Sequence, residues 1–130
     1  MPATLDAMLD KASKDFDLVA PASDLIYSNA FDRLTESATS GFIVGKAMID
    51  GTLCTHLAFR SQGTDWQIWI TDGGRPLPLK FVVTSTDVEG APQFEVRLKK
   101  WNLAPNLADS VFEFKAPANS QKINFINTAK

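Results

Sequence analysis

Between residues 42 and 126 the sequence carries seven short runs of β-branched and aromatic residues, and no connection between them is long enough to hold a crossover helix. That feature constrains the fold more than any other. Strands joined by such short links can only pair antiparallel, one after the next. The runs are 42–49, 53–60, 66–71, 79–86, 94–101, 111–115 and 122–126. Asp50-Gly51 between the first two is a strong hairpin signal, because both residues accept positive φ. Ser61-Gln62-Gly63-Thr64 and Glu89-Gly90-Ala91-Pro92 make longer hairpin loops, and Asp72-Gly73-Gly74-Arg75-Pro76 a wider one. The pattern predicts an up-and-down meander.

Side chains alternate sides along a strand, so each run also predicts two faces. Leu53, Thr55, Leu57 and Phe59 share one side of the second run, with Cys54, His56, Ala58 and Arg60 on the other. The same alternation sets Trp66, Ile68 and Ile70 against Gln67, Trp69 and Thr71. It sets Leu79, Phe81 and Val83 against Lys80, Val82 and Thr84, and Phe94, Val96 and Leu98 against Glu95, Arg97 and Lys99. One face is strongly apolar and the other mixed. Over 42–48 both faces are apolar, and the inward side is open.

The first forty residues follow a different period. Leu5, Met8, Leu9, Ala12 and Phe16 recur at helical spacing behind a Thr4 N-cap, with Asp6 in the first turn. The stripe ends near Asp17, and Pro21 prevents its continuation. Ser23-Asp24 opens a second helix through Leu25, Ile26 and Tyr27, which Phe31 and Leu34 extend. Each helix is apolar on one side and must cover something. The expected fold is α+β, one domain over 1–130: a helical lid (1–40) packed on the concave face of a curved antiparallel meander (41–130), an open half-barrel of about seven strands.

Composition then removes functions. The chain has 130 residues, of which 13 are basic and 15 acidic, so a strongly basic nucleic-acid binder is excluded. One His and one Cys cannot build a zinc site of four cysteines, or of two cysteines with two histidines, or an intramolecular disulfide. No apolar run approaches the ~20 residues of a membrane-spanning helix. Met1 to Asp6 lacks the basic start of a secretory signal, and Asp6, Asp10 and Lys11 interrupt an apolar stretch.

Candidate chemistry is sparse. Cys54 and His56 lie on one side of a strand, the arrangement of a thiolate with its base or of two metal ligands. Ala58 and Arg60 share that side, no third group has a signature, and packing is the expected role. Asp65, Asp72, Asp87 and Glu89 read as turn residues rather than paired catalytic carboxylates. Gly73-Gly74-Arg75 is not a phosphate loop. Lys99-Lys100-Trp101 is too small a patch for nucleic acid. The expectation is no enzyme, no metal and no cofactor.

Nine Phe and three Trp, most of them in the sheet region, either fill an ordinary core or line an apolar cleft. The residues expected to line such a cleft are Leu57, Phe59, Ile68, Ile70, Phe81, Val83, Phe94 and Val96. The occupant would be a hydrophobic ligand such as a lipid acyl chain. The alternative is a structural or protein-interaction domain whose helices fill the face themselves.

The block from Asp50-Gly51-Thr52-Leu53-Cys54-Thr55-His56 to Asp65-Trp66-Gln67-Ile68-Trp69-Ile70 resembles a bacterial family of predicted periplasmic proteins of unknown function. Arg75-Pro76-Leu77-Pro78-Leu79-Lys80, Ala91-Pro92-Gln93-Phe94 and Trp101-Asn102-Leu103-Ala104-Pro105 fit as well. So do Phe112-Glu113-Phe114 and, upstream, Ala22-Ser23-Asp24-Leu25-Ile26-Tyr27-Ser28. That family looks like a branch of the superfamily of the lipoprotein localisation factors LolA and LolB. The resemblance implies a half-barrel lidded by helices, a periplasmic location, and carriage of a lipoprotein acyl chain without enzymatic activity. It also implies that the chain is the C-terminal part of a longer protein. The 42–49 strand is then an edge open to pairing with a second copy, giving a homodimer.

Overall fold

The computed structural model describes residues 4–18 and 20–124. Helix α1 (Leu5–Phe16) starts where the sequence places it, with the Ala7 N–H donating to Thr4 Oγ1 at 3.2 Å. It stops at Asp17, whose φ of 50° is left-handed. The second helical stretch is broken into a single 3-10 turn (Ser23–Ile26) and helix α2 (Ala30–Glu36). The break has a local cause. Tyr27 turns extended (ψ 150°) and buries its ring, its hydroxyl donating to Asp10 Oδ1 at 2.9 Å. The Ser28 N–H and hydroxyl are both taken by the Asp6 carboxylate. A residue whose backbone donor is claimed by a side chain is a poor continuation point for a helix.

Five strands follow: β1 (Ala38–Ile49), β2 (Thr52–Ser61), β3 (Thr64–Thr71), β4 (Pro78–Ser85) and β5 (Gln93–Arg97). They form one antiparallel sheet in the order β1-β2-β3-β4-β5, the meander the turn signals require. Asp50 and Gly51 both take positive φ, 47° and 83°, as a tight hairpin demands. The architecture is α+β, an open five-strand sheet rather than the expected seven-strand half-barrel.

The missing strands have a common cause. The ladder closes with Leu98 N–H on the Leu79 carbonyl, and Lys100 then takes a left-handed φ of 54° that turns the chain out of the sheet. Trp101 serves as a brace, its indole N–H donating to the Pro78 carbonyl at 2.9 Å. The 94–101 run is therefore cut short at Arg97. Residues 111–115 form part of a 3-10 turn (Asp109–Phe112) and irregular chain. Over 122–124 no strand forms, and the remainder of that run lies outside the described residues. An alternating run becomes a strand only where another edge accepts its backbone hydrogen bonds.

Two β-bulges settle what alternation left open. Val44 is the extra residue between the pairs Ile43–Leu57 and Gly45–His56. Past it, Ala47 and Ile49 face the side of Cys54, while Lys46 and Met48 face the side of Thr55 and Leu53. Leu79 is the extra residue between Trp69–Lys80 and Ile70–Pro78. It was expected beside Phe81 and Val83, but it packs on the opposite face against Ile49, Cys54, Trp69 and Val82.

The sheet thus has two separate cores. One side carries Ile49, Cys54, Trp69 and Val82; the other carries Trp66, Ile68 and Phe81, covered by Ala22, Leu25 and Leu34. Helix α1 has no buried residue, and Leu5 and Met8 stand about half exposed. The expected packing of its apolar stripe into the sheet is replaced by polar ties, Asp6 to Ser28 and Asp10 to Tyr27. Among the described residues no helix is long and apolar enough to cross a membrane.

Candidate functional site

The helix-covered face is built from two rows of side chains that run straight across the ladder. Leu57, Ile68, Phe81 and Val96 are successive register partners on β2, β3, β4 and β5. Phe59, Trp66, Val83 and Phe94 are the second row. Ile70 sits one pair further along, between Thr55 and Pro78. All eight residues expected to line a cleft are therefore on one face. Trp66 shares their rows and was not among them, although its alternation with Ile68 and Ile70 marked it.

Burial varies along these rows. The middle is sealed: Phe81 is 2% exposed, and the Phe59 and Trp66 rings stack at 4.0 Å with 9° between their planes. Leu25 and Leu34 press on this centre. At the β5 end the cover lifts away, and Phe94 is 41% exposed. There an open cleft of about 330 Å³ separates β5 from residues 20–26, lined by Leu9, Leu25, Ile26, Phe94, Val96 and Leu98 beside Pro21 and Ala22. A second, of about 400 Å³, lies on the other side of Ala20-Pro21-Ala22 and is lined by Asp24, Thr64, Val83, Ser85, Gln93 and Phe94. The structure therefore brings Val83, Phe94 and Val96 to open space. Leu57, Ile68, Ile70 and Phe81 belong to the packed layer.

The strap over this cleft is held by charge. Arg33 lies 3.5 Å from Asp24 and 3.8 Å from Asp10, with its guanidinium 3.7 Å above the Tyr27 ring. Burial, followed by the bond to Asp10, pushes the Tyr27 phenol above its usual pKa. The bonds from the Ser28 hydroxyl and N–H hold the Asp6 carboxyl below its usual value. These contacts fix where residues 20–28 run, and hence the width of the cleft.

The other face offers little to a ligand. Cys54 is fully buried, and desolvation together with the nearby Asp72 charge raises its pKa, the reverse of what a nucleophilic thiol needs. His56 Nε2 lies 2.8 Å from Gln67 Oε1, and the imidazole stacks on Trp69 at 4.0 Å. Lys80 sits over the same indole at 4.8 Å and pairs with Glu95 at 2.9 Å. Cys54 and His56 are thus both engaged in packing. Asp65 faces Arg60, while Asp72 is bound by Lys46 and Thr55, which belong to the side of Leu57. Lys99 pairs with Asp50. Among the described residues no group of three or more His, Cys, Asp or Glu side chains could hold a metal ion. The arrangement is suited to apolar contact.

Residues 1–126 match the model of the family described as predicted periplasmic protein (DUF2092). The chain belongs to that family, whose description places its members in the periplasm. The resemblance seen in the sequence to a periplasmic family of unknown function therefore holds over nearly the whole chain. The match carries nothing of the further likeness to LolA and LolB. No curated protein and no solved structure matches the chain.

Proposed function

We propose that this periplasmic protein is a non-enzymatic binder or carrier of a hydrophobic ligand, an acyl chain being the simplest, held between β5 and residues 20–26. The observation that carries the reading is the cleft of about 330 Å³ whose floor is Phe94, Val96 and Leu98 and whose roof is Leu25 and Ile26. Its size falls at the lower end of ligand pockets, which run from roughly 300 to 1,000 Å³. Each methylene buried there is worth ~0.8 kcal/mol, so affinity requires no charged anchor. Titration with a fluorescently labelled long-chain acyl probe bearing an uncharged head tests it. Saturable binding that Phe94→Asp and Val96→Asp abolish is the expected result. Absence of saturable binding rejects it.

A second reading, a protein-interaction domain, draws on a different observation. The edge strand β1 carries Phe42, Ile43, Val44 and Met48, each half or more exposed, and its outer edge meets no other strand among the described residues. Such an edge is a template for a further strand, including one from a second copy. A dimeric mass by light scattering that Ile43→Lys converts to monomer supports pairing between copies. A monomeric mass across a dilution series rejects it.

A further inference from the structure

The two clefts at the β5 end differ in chemistry, and the difference bears on what kind of amphiphile the carrier takes. Ala20-Pro21-Ala22 and Phe94 line both. Towards Leu98 the lining is almost wholly apolar. Towards Gln93 the lining gains polar groups, the hydroxyls of Thr64 and Ser85 and the Gln93 amide. Among the described residues neither hydroxyl makes a hydrogen bond to the protein, and the amide donates to Thr84 Oγ1 at 3.1 Å. A ligand lying along β5 would rest its tail at the Leu98 end and its head at the Gln93 end.

The charges around the polar end are negative. Among the described residues Asp24 is the only charged side chain lining that cleft. Asp87 stands close by, its carboxylate packed against Gly63 beside Thr64. Arg33, which pairs with Asp24, is shared with Asp10 and laid over the Tyr27 ring. One Arg33 charge serves both Asp24 and Asp10, so an anionic head would meet a net negative surround, which costs affinity in a partly desolvated site. A head bearing hydroxyls or amides would find hydroxyl partners at no such cost.

Resting on the carrier reading, we infer that the preferred ligand is a single-chain amphiphile with an uncharged, hydrogen-bonding head, a monoacylglycerol rather than a fatty-acid carboxylate. The test is competition against the fluorescent probe at neutral pH by three ligands of equal chain length: a 1-monoacylglycerol, the free fatty acid and the primary alkylamine. The monoacylglycerol should bind about tenfold more tightly than the carboxylate, a difference of ~1.4 kcal/mol. Asp24→Asn should narrow that gap by improving carboxylate binding. Ser85→Ala, which leaves the Arg33 cluster untouched, should weaken the monoacylglycerol alone. Equal binding of carboxylate and monoacylglycerol, or tighter binding of the amine than of either, overturns the inference while leaving the carrier standing. Failure of all three to displace the probe, or of the probe to bind, overturns the carrier itself.

Discussion

The two faces of one sheet solve the same problem in opposite ways. The Cys54 face closes with side chains that the sheet itself supplies: Ile49, Trp69, Val82 and the bulged Leu79 cover Cys54 completely. Polar partners border it, with His56 stacked on Trp69 and Lys80 bridging to Glu95. The Phe81 face closes only where another part of the chain reaches it. Leu25 and Leu34 seal its centre, and the cover fails at β5. A face that completes itself keeps its centre closed. A face that borrows its cover can leave space at the margin.

The largest effect that separates the faces is Phe81→Ala, expected to cost about 3–5 kcal/mol because a fully buried ring leaves a cavity that the ladder cannot collapse. Chemical denaturation measures it, and a cost below that of Phe94→Ala would mean that the centre is not sealed. Next comes Cys54→Ser, expected to cost about 1–3 kcal/mol, since a hydroxyl replaces a thiol at a site with no exposure. The same burial predicts that the Cys54 thiol stays unreactive to an alkylating reagent until the protein unfolds, read by mass spectrometry.

Phe94→Ala should do the reverse of Phe81→Ala. A ring already 41% exposed gives up little on truncation, under about 1 kcal/mol, yet ligand binding should fall severalfold. Equal losses in stability and binding would remove the distinction between sealed centre and open margin.

The smallest effect is that of acid. Asp72 is held below its usual pKa by Lys46 and Thr55, Glu95 by Lys80 and Arg97, and Asp6 by Ser28. A carboxyl whose folded pKa is depressed adds stability that is present above its unfolded value and lost as pH falls through the folded one. These groups are exposed and screened, so the denaturation midpoint should decline only modestly below about pH 4. Asp6→Asn should flatten part of that decline and loosen the tie between α1 and Ser28. An unchanged acid profile in this variant would show that the tie does not hold the helix.

Much of this was readable before folding. Thr4 and Asp17 bracket α1, Asp50-Gly51 makes the hairpin, and alternation alone put Leu57, Phe59, Ile68, Phe81, Phe94 and Val96 on one side. Those signals are local, carried by a residue and its near neighbours. Three things were not readable. The Val44 and Leu79 bulges shift which side chains follow, and nothing in either dipeptide announces an extra residue. The 111–115 run alternates like a strand but finds no edge among the described residues. Helix α1 shows an apolar stripe yet is tied through Asp6 and Asp10, because Ala22, Leu25 and Leu34 take the place on the sheet.

The sequence by itself determined a helical segment followed by an antiparallel meander, the two chemistries of its faces, and the residues able to make an apolar lining. Local periodicity and turn geometry suffice for that. Only the tertiary structure decided where the meander ends, which helix covers which strands, and that the cover stops short of Phe94. Each of these depends on a partner distant in the chain, on whether an edge, a carboxylate or a leucine arrives at the right place, and no local pattern encodes that arrival.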